Sequence, residues 1–206
     1  PPADLAVVGC DPAFGLVAEA LRRDRDVEVV WSPRGSRAAL GALARGEAHV
    51  AGTHLLDPTT GEWNGPWIRE LVPFPTTRVA FAVWEQGLLV RPEGPAPITG
   101  VADLGRAGVR LLNREEGSGS RMLLDHELRA AGVDPSTLAG YGTRARSHGA
   151  VAEGVAAGTA DTGVATRAVA TASGLGFVTL RQEAYELVVP DHFLDLPAVQ
   201  ALLDIL

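Results

Sequence analysis

Ten residues recur. Val155-Ala156-Ala157-Gly158-Thr159-Ala160-Asp161-Thr162-Gly163-Val164 echoes Leu43-Ala44-Arg45-Gly46-Glu47-Ala48-His49-Val50-Ala51-Gly52 at an offset of 112 residues. Each copy holds the end of a helix pattern, a glycine and a short apolar run. Upstream, the same offset lays Gly35-Ser36 on Ser147-His148, each just before a helix pattern. The stretch 113–121 likewise answers the turn at 9–12, each after a first strand. Both halves then read strand, loop, helix, strand, loop, helix, strand, an internal repeat that is weak in identity and consistent in order.

The first copy can be read in detail. Leu5-Ala6-Val7-Val8 is a buried strand, and Gly9-Cys10-Asp11-Pro12 is its turn. Phe14, Leu16, Val17, Ala20 and Leu21 carry helical spacing over 13–23. Val27 to Trp31 is a second strand, Ser32 to Ser36 a turn, and Ala38 to Arg45 a second helix ending at Gly46. Ala48 to Gly52 is a third strand, running out at Thr53-His54. Strands alternating with helices imply a parallel sheet with crossover helices.

In the second copy, Val109 to Leu112 reads as a strand and Met122 to Leu128 as a helix. Between them lies Asn113-Arg114-Glu115-Glu116-Gly117-Ser118-Gly119-Ser120-Arg121. A strand, a Gly/Ser turn and a helix start leave several unpaired N–H groups at one point, and the helix dipole adds partial positive charge there. Phosphate-like and other tetrahedral anions bind in such places. A flexible linker has the same composition, and so does a merely structural N-cap by Ser118 or Ser120.

The remaining segments read as follows. Residues 78–83 and 87–90 are strands, Pro92, Pro95 and Pro97 mark a loop, and 98–104 is a short turn-and-helix. The stretch 164–172 reads as helical, 177–180 and 186–189 as strands, and 197–206 as a final helix. The loop 57–67 carries Trp63 and Trp67, which either wall a site or cover the end of a core. The fold class expected is α/β, with two similar lobes, each a mostly parallel sheet flanked by helices, a hinge and a central cleft. Lobe I is residues 1–88 plus 183–206, and lobe II is 89–182. A chain that leaves a lobe and returns crosses twice.

Ligands of open α/β sheets bind outside the carboxyl ends of the strands. With the lobes facing each other, the loops there supply the candidate ligand-binding residues Cys10, Asp11, Gly35, Ser36, Thr53, His54, Asn113, Arg114, Gly117, Ser118, Gly119, Ser120, Arg121, Ser147 and His148. For a dianion, Ser36, Thr53, Ser118 and Ser120 donate hydroxyls, residues 117–121 donate main-chain N–H groups, and Arg114 or Arg121 supplies the countercharge. His54 and His148 serve as donors or as structural residues.

Composition narrows the function. The net charge is −7 and the pI about 5.2, which argues against gripping nucleic acid by its phosphates. All 18 basic residues are arginine. The single cysteine, Cys10, excludes an internal disulfide framework. No apolar run is long enough to span a membrane, so no membrane insertion is expected. Residue 1 already lies just before the first strand, so no signal peptide is expected within the chain.

Catalysis is not expected. Cys10 with His54 or His148 offers a nucleophile–base pair, but nothing in the spacing demands one. Residues 116–120 read Glu-Gly-Ser-Gly-Ser, which is not a nucleophile elbow. His49 and His54, five apart on opposite faces of a strand, make no metal pair, and no cofactor is expected.

At Glu47-Ala48-His49-Val50-Ala51-Gly52-Thr53-His54-Leu55-Leu56-Asp57, Thr60-Gly61-Glu62-Trp63-Asn64, Asn113-Arg114 and Gly117-Ser118-Gly119-Ser120-Arg121 the chain resembles a known group. It is similar to the periplasmic-binding-protein-like (type II substrate-binding) domains fused to helix-turn-helix regulators or to molybdopterin-biosynthesis proteins. The last motif is similar to the oxyanion loop of phosphate and tungstate receptors, which usually carry threonine where Ser120 stands. The resemblance covers nearly the whole chain. It implies a two-lobe fold and a small-molecule oxyanion ligand, molybdate or tungstate, or a molybdopterin-type compound. The acidic charge and the absent signal fit a cytoplasmic ligand sensor whose lobes close on the ligand, within a transcriptional regulator that meets DNA only through a fused domain, with a homodimer possible. The alternatives are a periplasmic or extracellular transport receptor, if a signal was removed, and a protein–protein module with a vestigial cleft.

Overall fold

The computed structural model of the chain describes residues 3–92, 94 and 97–206. Pro95, one of three prolines expected to mark a loop, lies outside the described residues. The chain divides into two compact units, Pro1–Ala82 with Ala184–Leu206, and Val83–Glu183. Both crossings fall inside strands, one between Ala82 and Val83 and the other between Glu183 and Ala184.

The first unit is built on β1 (Leu5–Gly9), α1 (Phe14–Arg25), β2 (Val29–Pro33), α2 (Ser36–Ala44), β3 (Val50–Thr53) and α3 (Gly65–Leu71). It also takes the start of β4 (Thr76–Val90), the end of β8 (Gly176–Pro190), and α7 (Pro197–Ile205). β1 pairs parallel with both β2 and β3, and β3 pairs antiparallel with β8 through Ala51–Val188, Gly52–Leu187 and Thr53–Glu186. α1 packs on α7 and β2, and α2 on β1, β3 and α3. Their inward stripes, Leu21 on α1, Leu40 and Leu43 on α2, Val199 and Leu202 on α7, are completely buried. At about 25 cal/mol per Å² of apolar surface, these contacts are what holds the helices to the sheet.

The second unit repeats the plan with β5 (Asn113–Arg114), α4 (Gly119–Ala130), β6 (Arg144–Ala145), α5 (His148–Ala156), β7 (Thr162–Thr166) and α6 (Arg167–Ala172). β5 pairs parallel with β6, Leu111 bridges Thr162 in parallel, and β7 pairs antiparallel with β4 from Gln86–Thr166 to Val90–Thr162. Successive residues of a strand face opposite sides. Leu88 and Val164 accordingly join Leu124 and Leu128 in one core, while Leu89 and Ala165 join Val151 and Val155 in another. The offset of 112 survives in three dimensions: α5 begins and ends 112 residues after α2, and β7 begins 112 after β3.

Several local expectations need correction. Residues 78–83 and 87–90 are one continuous strand, β4, and 177–180 and 186–189 are likewise one, β8. Polar residues break the apolar runs, but the ladder partners continue, so the strands do too. Residues 164–166 belong to β7, and the helix α6 starts only at Arg167. The strand expected at 109–112 is shifted onto Asn113–Arg114 with the single bridge at Leu111. The loop 57–67 ends in helix: α3 starts at Gly65, with Pro66 in its first turn and Trp67 on the helix. Among the described residues no helix is long and apolar enough to cross a membrane.

Candidate functional site

In the first unit the chain leaves β1 at Gly9 and turns through Cys10 and Asp11 toward α1. The Asp11 carboxylate accepts the Ala13 N–H at 2.8 Å and fixes this turn. The N–H groups of Cys10 and Asp11 both point at one oxygen, the Tyr185 hydroxyl, at 3.0 and 3.4 Å. Tyr185 stands on β8, almost completely buried. Burial, then the nearby Cys10 and Asp11, push its phenol well above the ordinary value. The ring has room only because β1 and β3 carry glycine beside it. A Cβ on Gly52 would lie 2.6 Å from Tyr185 Cζ, and one on Gly9 would overlap the hydroxyl.

Around the same ring sit His54 and Ser36. The His54 ring stacks on Tyr185, centroids 5.7 Å apart and planes 28° apart. Its Nε2 lies 3.3 Å from Cys10 Sγ, giving one nitrogen and one sulfur donor side by side. The His54 N–H donates to Ser36 Oγ at 3.2 Å, which ties the end of β3 to the first turn of α2. Gly35, extended at φ −62° and ψ 155°, is the cap residue of α2. Thr53 turns elsewhere: its hydroxyl donates to Asn64 Oδ1 at 3.3 Å. That same oxygen accepts the Leu55 N–H at 2.7 Å, and Asn64 Nδ2 donates to Glu186 at 2.8 Å. His49 is also engaged, its Nδ1 accepting the Ala6 N–H at 3.0 Å.

In the second unit Glu115 to Ser118 form a turn, closed by the Ser118 N–H on the Glu115 carbonyl at 3.3 Å with Gly117 at φ +79°. Ser118 caps α4: its Oγ accepts the Arg121 N–H at 3.3 Å and donates to the Glu115 carbonyl at 2.8 Å. Its carbonyl accepts the Met122 N–H. The N–H groups of Gly119 and Ser120, first in the helix, have no intrahelical acceptor and none among the described residues. The Ser120 hydroxyl donates to Gln86 Oε1 at 2.7 Å.

Asn113 and Arg114 form β5, which leads into this turn. Asn113 Oδ1 accepts the Arg114 N–H at 2.9 Å, and its Nδ2 donates to the Tyr141 carbonyl at 3.2 Å. The Arg114 guanidinium is 2% exposed. Nε and Nη2 hold the Glu115 carboxylate at 2.9 and 3.0 Å, while Nη1 is buried with no hydrogen-bond partner among the described residues. Arg121 differs. Its Nε holds Asp125 at 3.0 and 3.1 Å, and its guanidinium lies over the Tyr141 ring. On the neighbouring strand end, Ser147 caps α5 by accepting the Ala150 N–H at 3.0 Å, and His148 packs edge-on against Trp84.

Cys10, Asp11, Ser36 and His54 are thus joined in the first unit, and Asn113, Arg114 and Gly117 to Arg121 in the second, where β5–β6 pairing sets the turns before α4 and α5 beside each other. Sequence reasoning missed Tyr185, Asn64 and Gln86. The signal for Tyr185 was present in Gly9 and Gly52, small residues inside strand patterns where another group comes close.

With this geometry in hand, the chain can be set beside known proteins. The PBP superfamily domain matches residues 18–206. The uncharacterized Bacillus subtilis (strain 168) protein YvgK is 36% identical over 189 residues, covering 90% of this chain and 61% of that protein. The chain therefore spans about three-fifths of the length of that relative. Among solved structures, one described as a phosphate ABC transporter substrate-binding protein from Clostridium perfringens, with bound phosphate, superposes with TM-score 0.72 at 15% identity, covering 97% of this chain and 91% of that one. The regulatory domain of Synechocystis PCC6803 CcmR in complex with 2-PG gives TM-score 0.70 at 15% identity, over 98% and 94%. At these identities the structural likeness speaks for the fold alone. The match across 18–206 speaks for more: the chain belongs to the PBP superfamily.

Proposed function

We propose that this is a non-catalytic, ligand-binding sensor domain that takes a small oxyanion, or a molecule bearing one, at the loop between β5 and α4. The observation that carries the reading is Arg114 Nη1, a buried cationic donor without a partner among the described residues, on the strand that enters an anion-type helix start. Leaving such a group unpaired costs about 1–3 kcal/mol, which an anionic oxygen would offset. The Gly119 and Ser120 N–H groups add two more donors. Charged hydrogen bonds contribute about 1.5–3 kcal/mol each, so three or four reach the micromolar range, near 8 kcal/mol.

Phosphate and 2-PG, the ligands of the two structural neighbours, carry such oxygens, which supports the class. Molybdate and tungstate are the members that the resemblance to regulator-fused domains implies. The Synechocystis regulatory domain, which holds 2-PG, supports a sensor role, and the part of the Bacillus relative outside the match has room for a second module such as that of a transcriptional regulator. The Clostridium perfringens structure favours a second reading, a transport receptor. Calorimetric titration with molybdate, tungstate, sulfate and phosphate tests the site. One anion should bind at micromolar level or tighter, and Arg114→Ala should weaken it at least tenfold. Silence with all four, or an unchanged affinity in Arg114→Ala, rejects the reading.

A further inference from the structure

The two units end their first parallel strands alike and then differ. In each, the chain beyond the strand presents two consecutive main-chain N–H groups, Cys10 and Asp11 in a turn of the first unit, Gly119 and Ser120 at the start of α4 in the second. Paired N–H groups of this kind form a cradle for one oxygen. In the second unit the cradle has no acceptor among the described residues. In the first, both groups converge on Tyr185 Oη. The tyrosine comes from β8, some 174 residues away in sequence, and its ring crosses two strands that carry glycine where it passes. His54 and Phe81 pack its faces at centroid distances of 5.7 and 5.9 Å. The hydroxyl is therefore held in the cradle from several sides.

We propose that Tyr185 is a specificity-determining residue: it fills the first unit's oxyanion cradle with its own hydroxyl and closes Cys10 and Asp11 to anions. It follows that Cys10 and Asp11 give no main-chain bonds to an anion, and that the chain takes up one anionic group rather than two. The oxygen that Tyr185 supplies is neutral, since its burial keeps the phenol protonated. The cradle is thus satisfied without a charge. This inference rests on the reading of the β5–α4 loop as the anion site, and its test separates the two.

The probe is inorganic phosphate, followed by amide NMR on the whole chain. In the wild type, phosphate should shift the amides of residues 117–121 and leave those of Cys10 and Asp11 in place. Tyr185→Ala removes the ring as well as the oxygen. Phosphate should then shift Cys10 and Asp11 too, and calorimetric stoichiometry should rise from one to two. Tyr185→Phe keeps the ring, and hydrogen exchange at both amides should accelerate at least tenfold, which decides the matter even where Tyr185→Ala does not fold. Phosphate shifts at Cys10 and Asp11 in the wild type, a folded Tyr185→Ala that stays at one site, or unchanged exchange in Tyr185→Phe would each overturn the proposal. A wild type silent at 117–121 toward phosphate, sulfate, molybdate and tungstate alike, with a Tyr185→Ala that gains phosphate at Cys10 and Asp11, sinks the loop site and upholds the role of Tyr185.

Discussion

The guanidinium of Arg121 lies 3.9 Å from the centroid of the Tyr141 ring, and both side chains bond the same Asp125 carboxylate. An arginine held this way is part of the scaffold of α4. Cation–π contact and a part-buried ion pair together contribute about 1–2 kcal/mol. Arg121→Ala should lower stability in urea by about that much and change anion affinity less than threefold. A tenfold loss of affinity in a stable Arg121→Ala would return this residue to the ligand.

Arg114 should behave in the opposite way. Lysine at that position keeps the charge but cannot hold Glu115 with two nitrogens and still offer a third donor. Arg114→Lys is expected to stay folded by circular dichroism and to lose at least tenfold in affinity for the best anion found by calorimetry.

Asn64 is the most demanding polar residue of the first unit. It sits at φ +56° and ψ −47°, completely buried, and joins Thr53, Leu55 and Glu186. Asn64→Ala leaves the Leu55 N–H and Glu186 without this partner and keeps the strained backbone. A loss of about 2–3 kcal/mol in equilibrium unfolding is expected.

Gly52→Ala places a methyl group against the Tyr185 ring. Overpacking of this kind costs about 1–3 kcal/mol or more. In the double variant Gly52→Ala, Tyr185→Leu the cost should be non-additive, with the second change recovering part of the first. Strict additivity of the unfolding free energies would show that the glycine has no bearing on the ring.

Acid and alkali should act at different places. The Arg110 guanidinium, helped by its N–H and by Arg91, holds the Asp161 carboxyl below the ordinary carboxylate value. Its contribution is complete above the unfolded value and disappears as pH falls through the folded one. The urea-midpoint difference between wild type and Asp161→Asn should therefore shrink from pH 7 to pH 3. Tyr185 has the opposite sign, because its folded value is raised. Its contribution is complete below about pH 10 and falls as pH rises past the unfolded phenol value. The alkaline arm of the stability curve should be shallower in Tyr185→Phe.

Much of the fold was legible because it rests on local pattern. The helix stripes, the turn at Gly9 to Pro12 and the recurrence of Gly46 at Gly158 are written within a few residues of each other, and α2 and α5 stand in register 112 residues apart. The two long strands were not legible as single elements. Trp84-Glu85-Gln86 and Arg181-Gln182-Glu183 look like breaks, yet Gln86 is a β7-paired residue whose amide donates to Glu183 at 2.5 Å. Polar residues can stay in a strand when they satisfy each other, and one sequence does not announce such pairs. The turn at 113–121 was visible in composition, but not the division of labour within it. Ser118 and Arg121 are held by their own helix, whereas Arg114 keeps a donor in reserve.

The order of synthesis follows from the two crossings. Residues 83–183 form one uninterrupted stretch, so that unit can complete itself as soon as it has left the ribosome. The other cannot. β3 meets its antiparallel neighbour at Glu186 to Val188, and α1 packs on α7. The amino-terminal strands must therefore wait, with one flank bare, through the emergence of more than a hundred later residues. A slow ribosome or a truncated product exposes that flank to aggregation while the inserted half is already sound.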